Sequence, residues 1–166
     1  MNKFAGYLVI TFLFISLISC SNSDDSEQST IVTFNATLEG SNEVPSNAST
    51  AKGTAKLNYD KNTKIFTLTV TYTGLTPTSG HVHLGANDIN GDILYTFTNL
   101  TSPITFTSPA LNSFQESLLM YNTFYINLHS DTFPEGEIRG QLITTSPGGG
   151  CGSCGGTLSK AAKSSL

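Results

Sequence analysis

The stretch Gly80-His81-Val82-His83-Leu84-Gly85 sets two histidines one residue apart in a chain that has three in all. The third, His129, closes the run Tyr125-Ile126-Asn127-Leu128-His129. Residues two apart on a β-strand point to the same face, about 6.5–7 Å apart along the backbone, and a neighbouring strand lies about 4.8 Å away. Two imidazoles on one strand and a third from the next can therefore converge on one ion, about 2.0–2.1 Å from each nitrogen. Three neutral imidazoles suit copper or zinc and leave a position for water or substrate. His-x-His alone is a weak signal; its weight here comes from the concentration of the whole histidine supply. The same residues also fit a structural cluster in which His81 and His83 bond to Asn127, Glu137 or loop carbonyls. Arg139 favours that second reading, because a guanidinium repels a cation unless a carboxylate such as Glu137 or Asp131 neutralises it.

The strands that must carry these residues are legible by alternation. In His81–Gly85, Val82 and Leu84 share one face and the histidines the other. In Thr123–Ser130, Phe124, Ile126 and Leu128 oppose Tyr125, Asn127 and His129. In Gly136–Leu142, Ile138, Gly140 and Leu142 oppose Glu137, Arg139 and Gln141. If the three strands are neighbours, their apolar faces join the core, and the histidines, Asn127, Glu137 and Arg139 form one polar patch on the other side. Further strands are expected from Ile31, with Val32, Phe34, Ala36 and Leu38 inward, and from Thr54–Tyr59, Lys64–Gly74 and Ile93–Asn99. Asn90-Gly91 in "NDINGD" reads as a hairpin turn rather than a calcium loop, since the twelve-residue ligand spacing is missing. Ser113, three residues before Glu116, reads as the capping box of one short helix. Together these predict an all-β fold, an antiparallel β-sandwich or partly closed Greek-key barrel with one short helix.

Composition agrees. Charged residues are 12% of the 166, about half the usual share, and Thr, Ser, Asn and Gly take the polar positions, as in extracellular β-proteins. The net charge of −4 and the lack of a basic run exclude nucleic-acid binding as an expectation. No nucleophile-elbow motif is present.

Four regions follow. Residues 1–19 have Lys3 and then an apolar run too short for a permanent membrane span, a signal peptide. Leu17-Ile18-Ser19-Cys20 resembles the bacterial lipobox, which implies lipidation of Cys20 and a chain anchored to the membrane without spanning it. Residues 20–30 read as a disordered, acidic tether. The Ser after Cys20 is similar to the outer-membrane sorting pattern of Gram-negative lipoproteins, and "SDDSE" to the surface-export signal of Bacteroidetes lipoproteins, so an outer-membrane lipoprotein, surface-exposed or periplasm-facing, is implied. Residues 31–145 are the β domain. Residues 146–166 are a flexible Gly/Ser-rich tail, in which Cys151 and Cys154 could close a small disulfide loop.

The segments "FNATLEGSNEVP", "GTAKLNYDKNTKIFTLTVTYTGL", "GHVHLGANDINGDILY", "FYINLHS" and "PEGEIRGQL", in that order, resemble the CHRD (chordin-like) domain. The resemblance implies a secreted β-sandwich module used for binding an extracellular partner or for structure, without catalysis. "HVH" is also similar to a copper-ligand segment of copper–zinc superoxide dismutases. That likeness implies His81, His83 and His129 as copper ligands with Arg139 beside them. Three histidines cannot furnish that family's full copper and zinc sites, so a mononuclear copper or zinc site is the alternative reading.

Overall fold

A computed structural model describes residues 29–144. The signal segment, Cys20, most of the tether, Cys151, Cys154 and the tail lie outside the described residues. The elements are β1 (Ile31–Glu39), a 3-10 turn (Gly40–Asn42), β2 (Lys52–Asp60), β3 (Ile65–Thr73), β4 (Ser79–Leu84), β5 (Ile93–Thr96), β6 (Ile104–Thr107), helix α1 (Ser113–Met120), β7 (Phe124–His129), β8 (Ile138–Gln141) and β9 (Ile143–Thr144).

The strands form one antiparallel sheet in the order β5-β4-β7-β8-β1-β2-β3-β6, with β9 added on β1. The sheet curls until its end strands face each other: the Tyr95 ring lies 5.3 Å from Phe106, and Phe97 lies 5.9 Å from it. Strand β6 returns beside β3 after β4 and β5 have crossed to the other half, a Greek-key connection. The result is an all-β, partly closed barrel with one short helix.

The inward residues are those set by alternation. Val32, Phe34, Ala36 and Leu38 of β1, Phe66, Leu68 and Val70 of β3, Val82 of β4 and Phe124, Ile126 and Leu128 of β7 are all buried. Phe66 joins the halves, its ring edge-on to both Tyr95 and Phe124; such aromatic pairs add about 0.5–1.5 kcal/mol each beyond their buried area. Gly140 lets β8 close on β1, because a Cβ there would sit 2.7 Å from the Thr37 carbonyl oxygen. Gly140→Ala is expected to lower stability by about 1–3 kcal/mol through overpacking, read as a lower urea midpoint at unchanged m-value. An unchanged midpoint would show that β1 and β8 separate without cost.

One local expectation is corrected, and two details are added. The helix cap is Asn112, not Ser113: Asn112 accepts from the Gln115 N–H while Gln115 accepts from the Asn112 N–H. Glu116 instead takes the Lys64 ammonium at 2.8 and 2.9 Å, tying the helix to the β2–β3 turn. Asn90-Gly91 does lie in the hairpin connection between β4 and β5, which takes the whole of 85–92, and the register between the two strands shifts at Val82/His83. Strand β6, in "SPITFTSP", was not anticipated.

Candidate functional site

Strand β7 lies between β4 and β8, so the three polar faces are contiguous. In register, His81 faces Asn127, His83 faces Tyr125, and Asn127 faces Arg139. His129 pairs with Ser79 and so lies diagonally from His81. This outer face of the barrel is nevertheless largely dry: His83, Asn127, Glu137 and Arg139 are buried, and His81 and His129 are half-buried.

The three histidines come together. His81 Nδ1 is 3.2 Å from His129 Nε2. One nitrogen from each of the three rings lies within 4.8 Å of the other two. His83 Nδ1 meets the Gly91 carbonyl oxygen at 3.0 Å, and His129 Nδ1 meets the Pro134 carbonyl oxygen at 2.9 Å. A carbonyl only accepts, so both Nδ1 atoms carry the proton; in the neutral rings each Nε2 is then a lone pair, and that of His129 accepts from His81 Nδ1. The His83 Nε2 is buried and has no hydrogen-bond partner. Burial, then the neighbouring His129 and His83, pulls the His81 pKa down to about 4. Burial also lowers that of His83, against the Gly91 carbonyl, which raises it, and the charges of His129 and Arg139 lower it further. At neutral pH both rings are uncharged.

Arg139 makes no hydrogen bond to the histidines, although its charge reaches His83 across the Tyr125 ring. Its Cζ lies 3.5 Å from the centre of the Tyr125 ring, while His83 stacks on that ring at 4.7 Å and 7°. Two groups so close to one ring must take opposite faces, so Tyr125 separates guanidinium from imidazole. Arg139 donates to the carbonyls of Ala86 (2.8 Å) and Ile89 (2.9 Å) and to Asn90 Oδ1 (3.1 Å), which pins the 85–92 loop to the barrel. Asn90 Nδ2 in turn donates to the Val44 carbonyl, joining this loop to the one after β1.

Glu137 does not neutralise Arg139. It accepts from Ser49 Oγ at 2.8 Å, and the only ion pairs among the described residues are Lys52–Glu39 and Lys64–Glu116. Burial lowers the Arg139 pKa, against the fields of Tyr125, Glu43 and Asp88, which favour its charged form. Asn127 turns away from the histidines and donates to Glu43 Oε2 at 3.3 Å. Glu43 Oε1 and Asn127 Oδ1 are both buried without a partner, and burial pushes Glu43 up to about 7 against the pull of Arg139 and Asn127.

The polar patch is thus two clusters, a histidine cluster on β4–β7 and a Glu43–Asn127–Arg139 cluster on β7–β8, divided by Tyr125. Glu43, Tyr125, Asn90 and Gln141 were missed as site residues. The one signal for Glu43 in the sequence is its place two residues before Pro45 in a loop of the CHRD-like segment "FNATLEGSNEVP".

No curated protein and no solved structure matches the chain. The family model of the CHRD domain matches residues 34–142, from the first inward phenylalanine of β1 to the leucine after β8. With that match running through every strand from β1 to β8, the chain belongs to the CHRD domain family.

Proposed function

We propose that this chain is a non-enzymatic binding module, held at an outer membrane by lipid on Cys20 and presenting the outer β4–β7–β8 face and its loops to an extracytoplasmic ligand or partner. The observation that carries this reading is the latch at Arg139. A side chain able to act on a substrate instead spends three donors on the 85–92 loop. Gln141 likewise donates to the carbonyls of Gly85 and Asn122, and Glu137 is held by Ser49. Such bonds make a rigid platform of the loops, where recognition residues tend to sit. Ile89, 56% exposed on this pinned loop, supports an outward-facing contact role. The lipid anchor rests on the lipobox-like Leu17–Cys20 and the apolar run before it.

Fractionation of cells producing the full chain tests the reading. The chain is expected in the outer-membrane fraction, and Cys20→Ala is expected to move most of it out of that fraction. Retention of Cys20→Ala at the membrane, or a full chain found in the cytoplasm, would overturn the anchored reading.

A further inference from the structure

We infer that His81, His83 and His129 form a mononuclear site for a transition-metal ion that takes neutral imidazole, copper or zinc. The inference rests on the binding-module reading only in taking this face as the ligand face; it names the ligand.

Four observations converge. First, the unbroken β4–β7 register brings all three rings to one spot from adjacent strands, His81 and His83 by alternation on β4 and His129 diagonally on β7. Second, two of the rings are already in the form a metal requires. Each Nδ1 is tied to a main-chain carbonyl, Gly91 for His83 and Pro134 for His129, which leaves each Nε2 as a lone pair. This is the outer-shell bond that orients metal-bound histidines. Third, His83 is 8% exposed, and its Nε2 is buried with nothing to accept from. A buried lone pair without a donor is costly, and a cation removes that cost. Fourth, the donor atoms lie within 4.8 Å of one another. Bonds of about 2.0–2.1 Å place imidazole nitrogens roughly 3.3–3.6 Å apart. The His81–His129 contact, a 3.2 Å hydrogen bond from His81 Nδ1 to His129 Nε2, is close to that spacing, and an ion there displaces the proton the two rings share. Small side-chain rotations suffice for the third.

The ligand chemistry narrows the ion. No carboxylate or thiol belongs to this cluster among the described residues. Magnesium and calcium need oxygen ligands and are excluded as occupants. Three imidazoles leave one position of a tetrahedron for water or another small ligand. The half-buried His81 and His129 give the ion a path from solvent. The Arg139 charge lies behind the Tyr125 ring and makes its own bonds to the loop, although its field still opposes positive charge at His83.

The test uses the full chain with Cys151→Ser and Cys154→Ser, so that the tail cysteines cannot take the metal. After chelator treatment it is titrated with Zn(II), Cu(II) and, under reductant, Cu(I), with Ca(II) as control. His81→Ala and His129→Ala are run beside it, their folding checked by circular dichroism without metal. One ion per chain is expected, weakened about a hundredfold or more in each variant, with none for Ca(II). In NMR, the His83 Nε2 resonance should move on binding in the parent chain. Absence of binding, or binding equally tight in both folded variants, or an unmoved His83 resonance at saturation, would overturn the site. Should a variant fail to fold, the His83 resonance in the parent decides alone. Membrane fractionation is indifferent to all of these results, so the site can fall while the binding-module reading stands.

Discussion

Arg139→Ala is expected to lower folding stability by about 3 kcal/mol and to release the 85–92 loop. Arg139 is 1% exposed and is among the largest fully buried side chains. Hydrogen bonds to a charged donor contribute about 1.5–3 kcal/mol each, and it makes two to carbonyls and one to Asn90. Stacking on Tyr125 adds about 2 kcal/mol when desolvated. Two effects reduce the sum. Removing a buried charge returns its desolvation cost, and Ala86 and Ile89 sit on an exposed loop, so water can reach their freed carbonyls. Arg139→Lys should recover less than half, since an ammonium cannot span three acceptors as a planar fork does. Urea denaturation gives the stability, and hydrogen exchange gives the loop. If exchange across 85–92 stays as slow as in the parent, Arg139 is not the latch.

Glu43→Gln is expected to stabilise the protein at pH 8 and to flatten its pH dependence. The folded chain holds the Glu43 proton up to about 7, against an ordinary 4.5, because burial outweighs Arg139 and Asn127. The folded state therefore binds this proton more tightly than the unfolded chain. Its contribution is fully present below about 4.5 and is lost as pH rises through about 7. That interval corresponds to roughly 3 kcal/mol at 1.36 kcal/mol per pH unit. A proton on Glu43 also converts one orphan acceptor into a donor beside Asn127, whose Oδ1 is the other orphan. Glutamine reproduces that neutral, donating form at every pH. Denaturation at pH 4.5, 6 and 8 reads the difference. Parallel slopes for the parent and Glu43→Gln would place the titration on another group.

The strand faces were legible because alternation is strict where one side packs on a core. Phe124, Ile126 and Leu128 could only turn inward together, which put Tyr125, Asn127 and His129 outward. The meeting of the histidines followed once β4 and β7 proved adjacent. The Glu43 cluster was not legible, because it depends on a loop folding back over a sheet face, and loops carry no period. Arg139 looked like a partner for Glu137 two residues away on the same face; Tyr125 and the loop carbonyls, far off in sequence, took the guanidinium instead. Strand β6 is four residues between prolines, too short to show a pattern. Asn112 and Ser113 are both good caps, and Gln115 and Glu116 both answer them, so the sequence did not separate the two; in the fold Glu116 is taken by Lys64 and Gln115 closes the box.

The pairing of Glu39 with Arg139 joins the first strand to nearly the last, 100 positions on. Strand β1 gains its second neighbour only from β8 and β9. Local hairpins such as β2–β3 can form early, but the barrel must wait for its C-terminal strands. Long-range β pairing of this kind folds on the order of milliseconds to seconds. A chain cut short before Ile138 keeps β1, β2 and β3 yet leaves one edge of β1 open and the latch missing, so the domain is completed from its far end.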